Sequence, residues 1–198
     1  QQAVYALISP TAAPKLHLKI GQMLLQHTRP DQRYEQIFEI VNQLNLGCNL
    51  ITDLAEKYEL AGLNLIAGQK AKAATAYEAA LRYLTVGLKL LTEESWQTHY
   101  DLTLVLHIEA LQAAYLNMEF GQIEPLAEVI LQQAKTTLER VTVYELKIQF
   151  YIAINDINEA VKTGLMALAE LKIYLPTNPS ARQELSQWLI TKLTLGKQ

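Results

Sequence analysis

The strongest structural signal in the chain is the segment Gly68-Gln69-Lys70-Ala71-Lys72-Ala73-Ala74-Thr75-Ala76-Tyr77-Glu78-Ala79-Ala80. Gly68 is followed five, nine and twelve residues later by Ala73, Tyr77 and Ala80. We interpret the glycine as a turn, and the other three as one helical face that packs on the preceding helix. The segment therefore predicts a helix that ends at Gly68 and a second helix that folds back on it.

Two further segments show the same spacing. Their members are Asn155, Ala160, Gly164 and Ala167, and Met118, Ile123, Ala127 and Ile130. The pattern resembles the tetratricopeptide repeat, a two-helix unit of about 34 residues with small residues where its helices cross. Because the copies begin 50 and 37 residues apart, we expect degenerate repeats with long helices. The predicted fold is all-α, a right-handed α-solenoid of antiparallel helix pairs.

Proline and glycine positions set the predicted helix boundaries. No proline lies between Pro30 and Pro125, a region dense in strong helix formers. Asp31 is a plausible N-cap, and Gly47 suits a left-handed C-cap. The helices predicted are about 2–8, 14–27, 32–46, 50–67, 70–91, 95–117, 122–138, 142–154 and 157–171, with a terminal helix over 180–195. The helix over 95–117 is apolar on two faces, which indicates packing on two sides.

Composition excludes several classes of function. The net charge of −3 gives no basic surface for nucleic acid, and no apolar run is long enough to cross a membrane. Cys48 is the only cysteine, which excludes a disulfide framework and fits a reducing cytoplasm. We expect residues 1–198 to form a single helical-repeat domain, to lack a signal peptide, and to be a fragment of a much larger multidomain protein.

No segment carries a recognisable catalytic, cofactor or metal motif. The segment Gly62–Lys70 resembles a phosphate-binding loop but has the wrong spacing and no following Ser or Thr, so we interpret it as an elbow between helices. His99 and His107 are two helical turns apart, too far to share a metal ion. Glu93-Glu94 is interpreted as a turn and helix start. We therefore predict that the chain is not an enzyme and needs no cofactor.

Five segments carry a narrower resemblance. They are Leu16–Gln22, Ile37–Asn45, Leu63–Tyr77, Ser95-Trp96 and Val143–Gln149. They resemble the helical region of the large multi-sensor signal-transduction kinases that are common in cyanobacteria. The resemblance implies a parent protein with a Ser/Thr kinase domain, an AAA-type ATPase, a GAF sensor and a histidine kinase. It implies that this segment links the ATPase to the sensor, and it covers the chain to about Pro176.

The leading functional hypothesis is a non-catalytic, cytoplasmic interaction and signal-relay scaffold. Extension of the repeat phase places Tyr58, Gln112, Glu145 and Gln149 near the concave groove, where they would contact a protein or peptide partner. That partner would be a flanking domain of the same protein, a separate peptide or a second copy of the chain. The alternative is that these side chains are solvated or pack between helices. A second hypothesis is a ligand- or peptide-sensing arm that regulates an attached ATPase, and a helical enzyme is the third.

Overall fold

The computed structural model describes residues 12–175 and 185–186. Within these residues the chain is helical and has no strand, so the predicted all-α class is confirmed. The α-helices are α1 (Ala13–His27), α2 (Arg33–Leu46), α3 (Leu54–Ala73), α4 (Tyr77–Leu90), α5 (Ser95–Thr98), α6 (Tyr100–Leu116), α7 (Ile123–Gln133), α8 (Thr137–Ala153) and α9 (Ile157–Glu170). Short 3-10 turns cover Pro30–Gln32, Cys48–Leu50 and Phe120–Gln122.

Consecutive helices pack as hairpins. In the α3–α4 pair, Gly68 lies against Leu84, and Gly87 lies against Asn64 and Ala61, so the two helices run in opposite directions. The pairs α1–α2 and α8–α9 also pack along their lengths. Helix α6 lies at the centre, in contact with α3, α4, α7 and α8, which confirms the prediction that this region is packed on two sides. The right-handed superhelical arrangement of the hairpins stays a prediction.

The turn between α3 and α4 is not where Gly68 predicted it. Gly68 lies inside the continuous helix α3, and the turn comes seven residues later at Thr75, whose φ is 58°. The N–H of Ala76 donates to the carbonyl of Ala71, and that of Thr75 to Lys72, both at 2.9 Å, which is a Schellman C-cap. Gly68 is small for another reason, since its backbone touches the buried Leu84 of α4.

The same turn occurs at four places in the described residues; three of them join successive helices, and the fourth, at Lys172 with φ 62°, follows α9. Thr75, Met118 and Asn155 all have φ near 60°, at 58°, 59° and 61°, and each is followed by the same pair of capping hydrogen bonds. The residues five positions later are buried; they are Ala80, Ile123 and Ala160. The predicted copies at Met118 and Asn155 are therefore in register, whereas the predicted copy at Gly68 is seven residues early. The three turns that join helices are 43 and 37 residues apart.

Other predicted boundaries need correction. The helix predicted over 95–117 is interrupted at His99, where α5 ends and α6 begins. Helix α7 ends at Gln133 rather than near 138. Helix α8 begins at Thr137 rather than 142, because Thr136 and Glu139 form a capping box that starts it earlier. The expected bounds of α1 and α9 agree with the structure to within one residue.

Two predicted caps are also wrong. Asp31 is not an N-cap; it lies in the 3-10 turn Pro30–Gln32 and pairs with Arg29. Gly47 has a φ of −116°, which is not left-handed. A Cβ on Gly47 would lie 2.5 Å from the carbonyl oxygen of Pro14, so close approach of α1 explains the glycine. The helix predicted over 2–8 lies outside the described residues, as does the helix predicted over 180–195 apart from Leu185 and Ser186.

Candidate functional site

A cavity of about 380 Å³ lies between α3, the start of α4, α6 and α8. Its polar and aromatic lining comes from Lys72, Tyr77, Gln112, Tyr115, Thr142, Glu145 and Gln149. Apolar side chains of Leu116 and Leu146 complete the wall. Helices α3, α6 and α8 are the three longest in the described part of the chain. Each is the first helix of a hairpin, and all three reach this cavity.

Three of the four predicted partner-binding residues converge on this cavity. Gln112 comes from α6, while Glu145 and Gln149 come from α8, where a spacing of four places them on one face. The side chains of Glu145 and Gln149 make no hydrogen bond or ion pair with another described residue, and both residues are exposed. The structure therefore brings these three together, and their contact with a partner stays a prediction.

The fourth predicted residue, Tyr58, lies elsewhere. It precedes Lys72 by 14 positions on α3, which at 1.5 Å per residue is about 21 Å along the helix. Its ring stacks on His99 with centroids 3.7 Å apart, and its hydroxyl accepts a hydrogen bond from Ser95 at 3.2 Å. That hydrogen bond lowers the pKa of Tyr58. Tyr58 thus packs between α3 and the start of α6 and does not line the cavity.

Lys72 is the main cavity residue that the sequence reasoning missed. Its ammonium group pairs with Glu109 and donates to Oε1 of Gln112 at 2.6 Å. Gln69 donates to the same carboxylate at 3.1 Å. The Lys72 and Glu109 side chains are 23% and 16% exposed, so the pair is shielded from water and ties α3 to α6. Placement of the turn at Thr75 would have put Lys72 in the last turn of α3, near the groove.

A second polar cluster lies beside the cavity and joins α7 to α8. Lys147 pairs with Glu124 at 2.8 Å, and the hydroxyl of Tyr151 donates to the same carboxylate. Burial opposes ionisation of Glu124, but the hydrogen bonds from Lys147 and Tyr151 outweigh it, so its pKa lies below the ordinary value. Burial and the neighbouring carboxylate raise the pKa of Tyr151. The positive charge of Lys147 is therefore already matched.

His107 and the glycine-containing segment 62–70 are part of the helical packing. The ring of His107 packs on Trp96 with centroids 4.8 Å apart, and Nδ1 donates to the carbonyl of Thr103 at 2.7 Å. Burial lowers the pKa of His107. The segment 62–70 is an uninterrupted part of α3, so it is neither the predicted elbow nor a phosphate-binding loop. No group of three metal-ligating side chains occurs among the described residues.

No helix in the described residues is long and apolar enough to span a bilayer.

Comparison with known proteins identifies one informative similarity. The chain resembles part of hybrid signal transduction histidine kinase G of Dictyostelium discoideum, with 31% identity over 160 residues. The match covers 73% of this chain and 4% of that kinase, so the chain spans a small fraction of its relative's length. No protein-family model matches the chain. No solved structure matches it.

This similarity supports the general part of the expected resemblance, because the relative is a signal transduction histidine kinase. The finer resemblance, to the cyanobacterial multi-sensor kinases and to the tetratricopeptide repeat, stays a prediction.

Proposed function

We propose that the chain is a non-catalytic protein-interaction and signal-relay scaffold within a large cytoplasmic signalling kinase. The cavity between α3, α6 and α8 is the observation that carries this proposal. Glu145 and Gln149 line it and have no hydrogen-bond partner among the described residues, which is typical of a surface that binds another molecule. The similarity to a signal transduction histidine kinase supports the signalling context. In that context the scaffold lies between the ATPase and the sensor or kinase domains.

The repeated hairpin supports a solenoid architecture for this scaffold. Thr75, Met118 and Asn155 each end the first helix of a hairpin with the same capping geometry. Repeats that contact only their neighbours stack into a solenoid with a concave surface. In the proposed scaffold the solenoid is right-handed, and the first helices form its inner surface. The first helices here are α3, α6 and α8, and these provide Lys72, Gln112 and Gln149 to the cavity.

A relay also requires that binding at the cavity alter the packing between hairpins. Gln112 is suited to this because its Oε1 accepts from Lys72, which holds Glu109. A partner that draws the Gln112 side chain away from Lys72 would remove one hydrogen-bond acceptor of the Lys72 ammonium group. This change would act directly on the contact between α3 and α6, and so on the orientation of the α3–α4 hairpin relative to the α6–α7 hairpin.

The proposal is tested with the domains that adjoin this segment in its full-length protein. Each domain is purified and mixed with the 198-residue chain, and co-elution is measured by size-exclusion chromatography. At least one adjoining domain is expected to co-elute. The combined variant Gln112→Ala, Glu145→Gln and Gln149→Ala is expected to lose this binding, because it removes the charge of Glu145 and the amides of Gln112 and Gln149 from the cavity.

Glu128→Gln is the matched control, since Glu128 is an exposed carboxylate on α7 that does not line the cavity. This variant is expected to co-elute like the wild type. Failure of every adjoining domain to bind would count against the relay. Equal binding by the triple variant would show that the cavity is not the contact surface. The same chromatography of the chain alone tests self-association into a homodimer.

The second candidate function is a ligand- or peptide-sensing arm that regulates an attached ATPase. The size of the cavity favours this candidate, because about 380 Å³ falls within the range of small-molecule sites. A thermal-shift screen against short peptides and sugars discriminates between the two. A rise in melting temperature with a sugar or other small molecule, abolished in the triple variant, would favour sensing over domain contact.

A further inference from the structure

The charge balance of the cavity is the starting point. Two charged side chains line it, Lys72 and Glu145. Lys72 already pairs with Glu109 and donates to Gln112. Glu145 has no ion pair or hydrogen bond with any residue in the described ranges, and it is exposed. The lining therefore carries one uncompensated charge, and that charge is negative.

The neighbouring cations are also occupied. Lys147 of α8 pairs with Glu124 at 2.8 Å, and Arg140 of the same helix pairs with Glu170 at 2.9 Å. Neither lines the cavity. An anionic ligand would meet Glu145 directly and would have to displace Glu109 from the shielded Lys72. A cation meets no such obstacle, because opposite charges attract and Glu145 is free to pair.

The remaining lining suits a cation with an aliphatic stem. Tyr77 and Tyr115 line the cavity with aromatic rings, and no hydrogen bond of either hydroxyl to a described residue is present. Aromatic faces attract ammonium and guanidinium groups, and amide and hydroxyl oxygens accept their hydrogen bonds. Gln149 supplies such an oxygen, while Leu116 and Leu146 offer apolar contact to a methylene chain.

We propose that the cavity receives a lysine or arginine side chain of the partner, with Glu145 as its counter-ion. This inference rests on the proposed function, which it deepens by naming the chemistry of the partner. The ammonium or guanidinium group pairs with Glu145 and donates to Gln149. Its stem lies against Leu116 and Leu146, between the rings of Tyr77 and Tyr115. The partner segment is therefore basic at the position that enters the cavity.

Blocked tripeptides of identical length test this proposal. The probes are N-acetyl-Ala-Arg-Ala-amide, its lysine analogue, and the matching peptides with central glutamine and glutamate. Each is titrated into the 15N-labelled chain, and the dissociation constant is measured from the NMR shifts of the cavity residues. The arginine and lysine probes are expected to shift Gln112, Glu145 and Gln149, and to bind more tightly than the glutamine probe.

Glu145→Gln is expected to weaken the arginine probe about fivefold, since an exposed ion pair contributes up to about 1 kcal/mol. Glu128→Gln should leave its affinity unchanged, and added salt should weaken it in the wild type. Amide spectra that superimpose away from residue 145 show that the variant remains folded. Equal affinity for arginine and glutamine probes, tighter binding of the glutamate probe, or an unaffected Glu145→Gln variant would overturn the proposal.

The two proposals fail separately. Suppose that an adjoining domain co-elutes with the wild-type chain but not with the triple variant, and that the arginine probe binds no better than the glutamine probe. The proposal of a basic side chain is then wrong, and the scaffold role stands. If the arginine probe binds through Glu145 but no adjoining domain co-elutes, the cavity chemistry stands and the relay between adjoining domains is wrong.

Discussion

Gly68 of α3 lies directly against Leu84 of α4, where a Cβ added to the glycine would be 2.5 Å from Cγ of the leucine. Leu84 is fully buried, so it has little space in which to move. The close approach of the Leu84 side chain to the backbone of α3 explains how a glycine persists in the interior of a helix, where it costs about 1 kcal/mol relative to alanine.

Gly68→Ala is expected to destabilise the protein by about 1–3 kcal/mol, because the added methyl group overpacks the α3–α4 contact. The measurement is urea unfolding followed by far-ultraviolet circular dichroism. Gly62→Ala is the matched control in the same helix, since no atom lies within 4 Å of a Cβ added there. That variant should gain up to about 1 kcal/mol from helix propensity. Equal effects of the two substitutions would contradict the close-packing explanation.

Thr75→Gly is expected to stabilise the protein. Thr75 has a φ of 58°, and a β-branched side chain is strained in this left-handed conformation. Relief of that strain outweighs the greater flexibility of glycine in the unfolded chain, with a net gain of about 0.5–1 kcal/mol. Asn155→Gly, at the equivalent turn with φ 61°, should change the free energy of unfolding much less, because asparagine tolerates this conformation. Thermal unfolding of both variants provides the comparison; a loss of stability in Thr75→Gly would refute the strain.

Asn45 and Asn64 join α2 to α3 through two reciprocal amide hydrogen bonds of 2.8 and 2.9 Å. Asn64 is fully buried and also donates to the carbonyl of Leu60 at 3.0 Å. Asn64→Ala is expected to cost about 1–3 kcal/mol, because it leaves the amide of Asn45 without its partner.

A double-mutant cycle with Asn45→Ala should reveal a coupling of about 0.5–3 kcal/mol, measured by urea unfolding. Asn158→Ala provides the reference, since Asn158 is exposed on α9 and makes no contact with this pair. Its effect should add to that of Asn64→Ala. Additivity between Asn45→Ala and Asn64→Ala would instead show that the two amides contribute independently.

The stability of the protein should fall as the pH decreases below the ordinary histidine range. Burial lowers the pKa of His107 in the folded state, so the unfolded chain binds a proton there more readily. The stability contributed by neutral His107 is therefore present above the unfolded pKa near 6.5 and is lost as the pH falls from that value toward the lower folded pKa. His107→Gln should flatten this part of the pH profile.

The profile is measured by urea unfolding at pH values between about 7 and 5, with direct NMR titration of the imidazole. Glu124 and Glu139 have pKa values below the ordinary one, so their contributions are lost at more acidic pH and do not overlap this window. An imidazole of His107 that titrates at or above about 6.5 would disprove the expected direction.

Local sequence determined the helical character of the chain and several of its boundaries. Pro14, as a first-turn proline, predicted α1, and apolar residues at helical spacing predicted α9, both to within one residue. The turns at Met118 and Asn155 were also predicted. These features depend on hydrogen bonds between residues a few positions apart, so a short segment contains most of the information. The repeat phase placed Tyr58, Gln112, Glu145 and Gln149 near the groove, and the last three line the cavity while Tyr58 does not.

The role of Gly68 and the charge of the cavity were decided by tertiary structure. A glycine is compatible both with a turn and with a close helix crossing, and only the position of Leu84 distinguishes the two. Lys72 and Glu109 are 37 positions apart, so their ion pair exists only because α3 packs on α6. That contact neutralises Lys72, while Glu145 has no ion pair with any residue that the structure describes, since electrostatic balance depends on distance in space and not on separation along the chain.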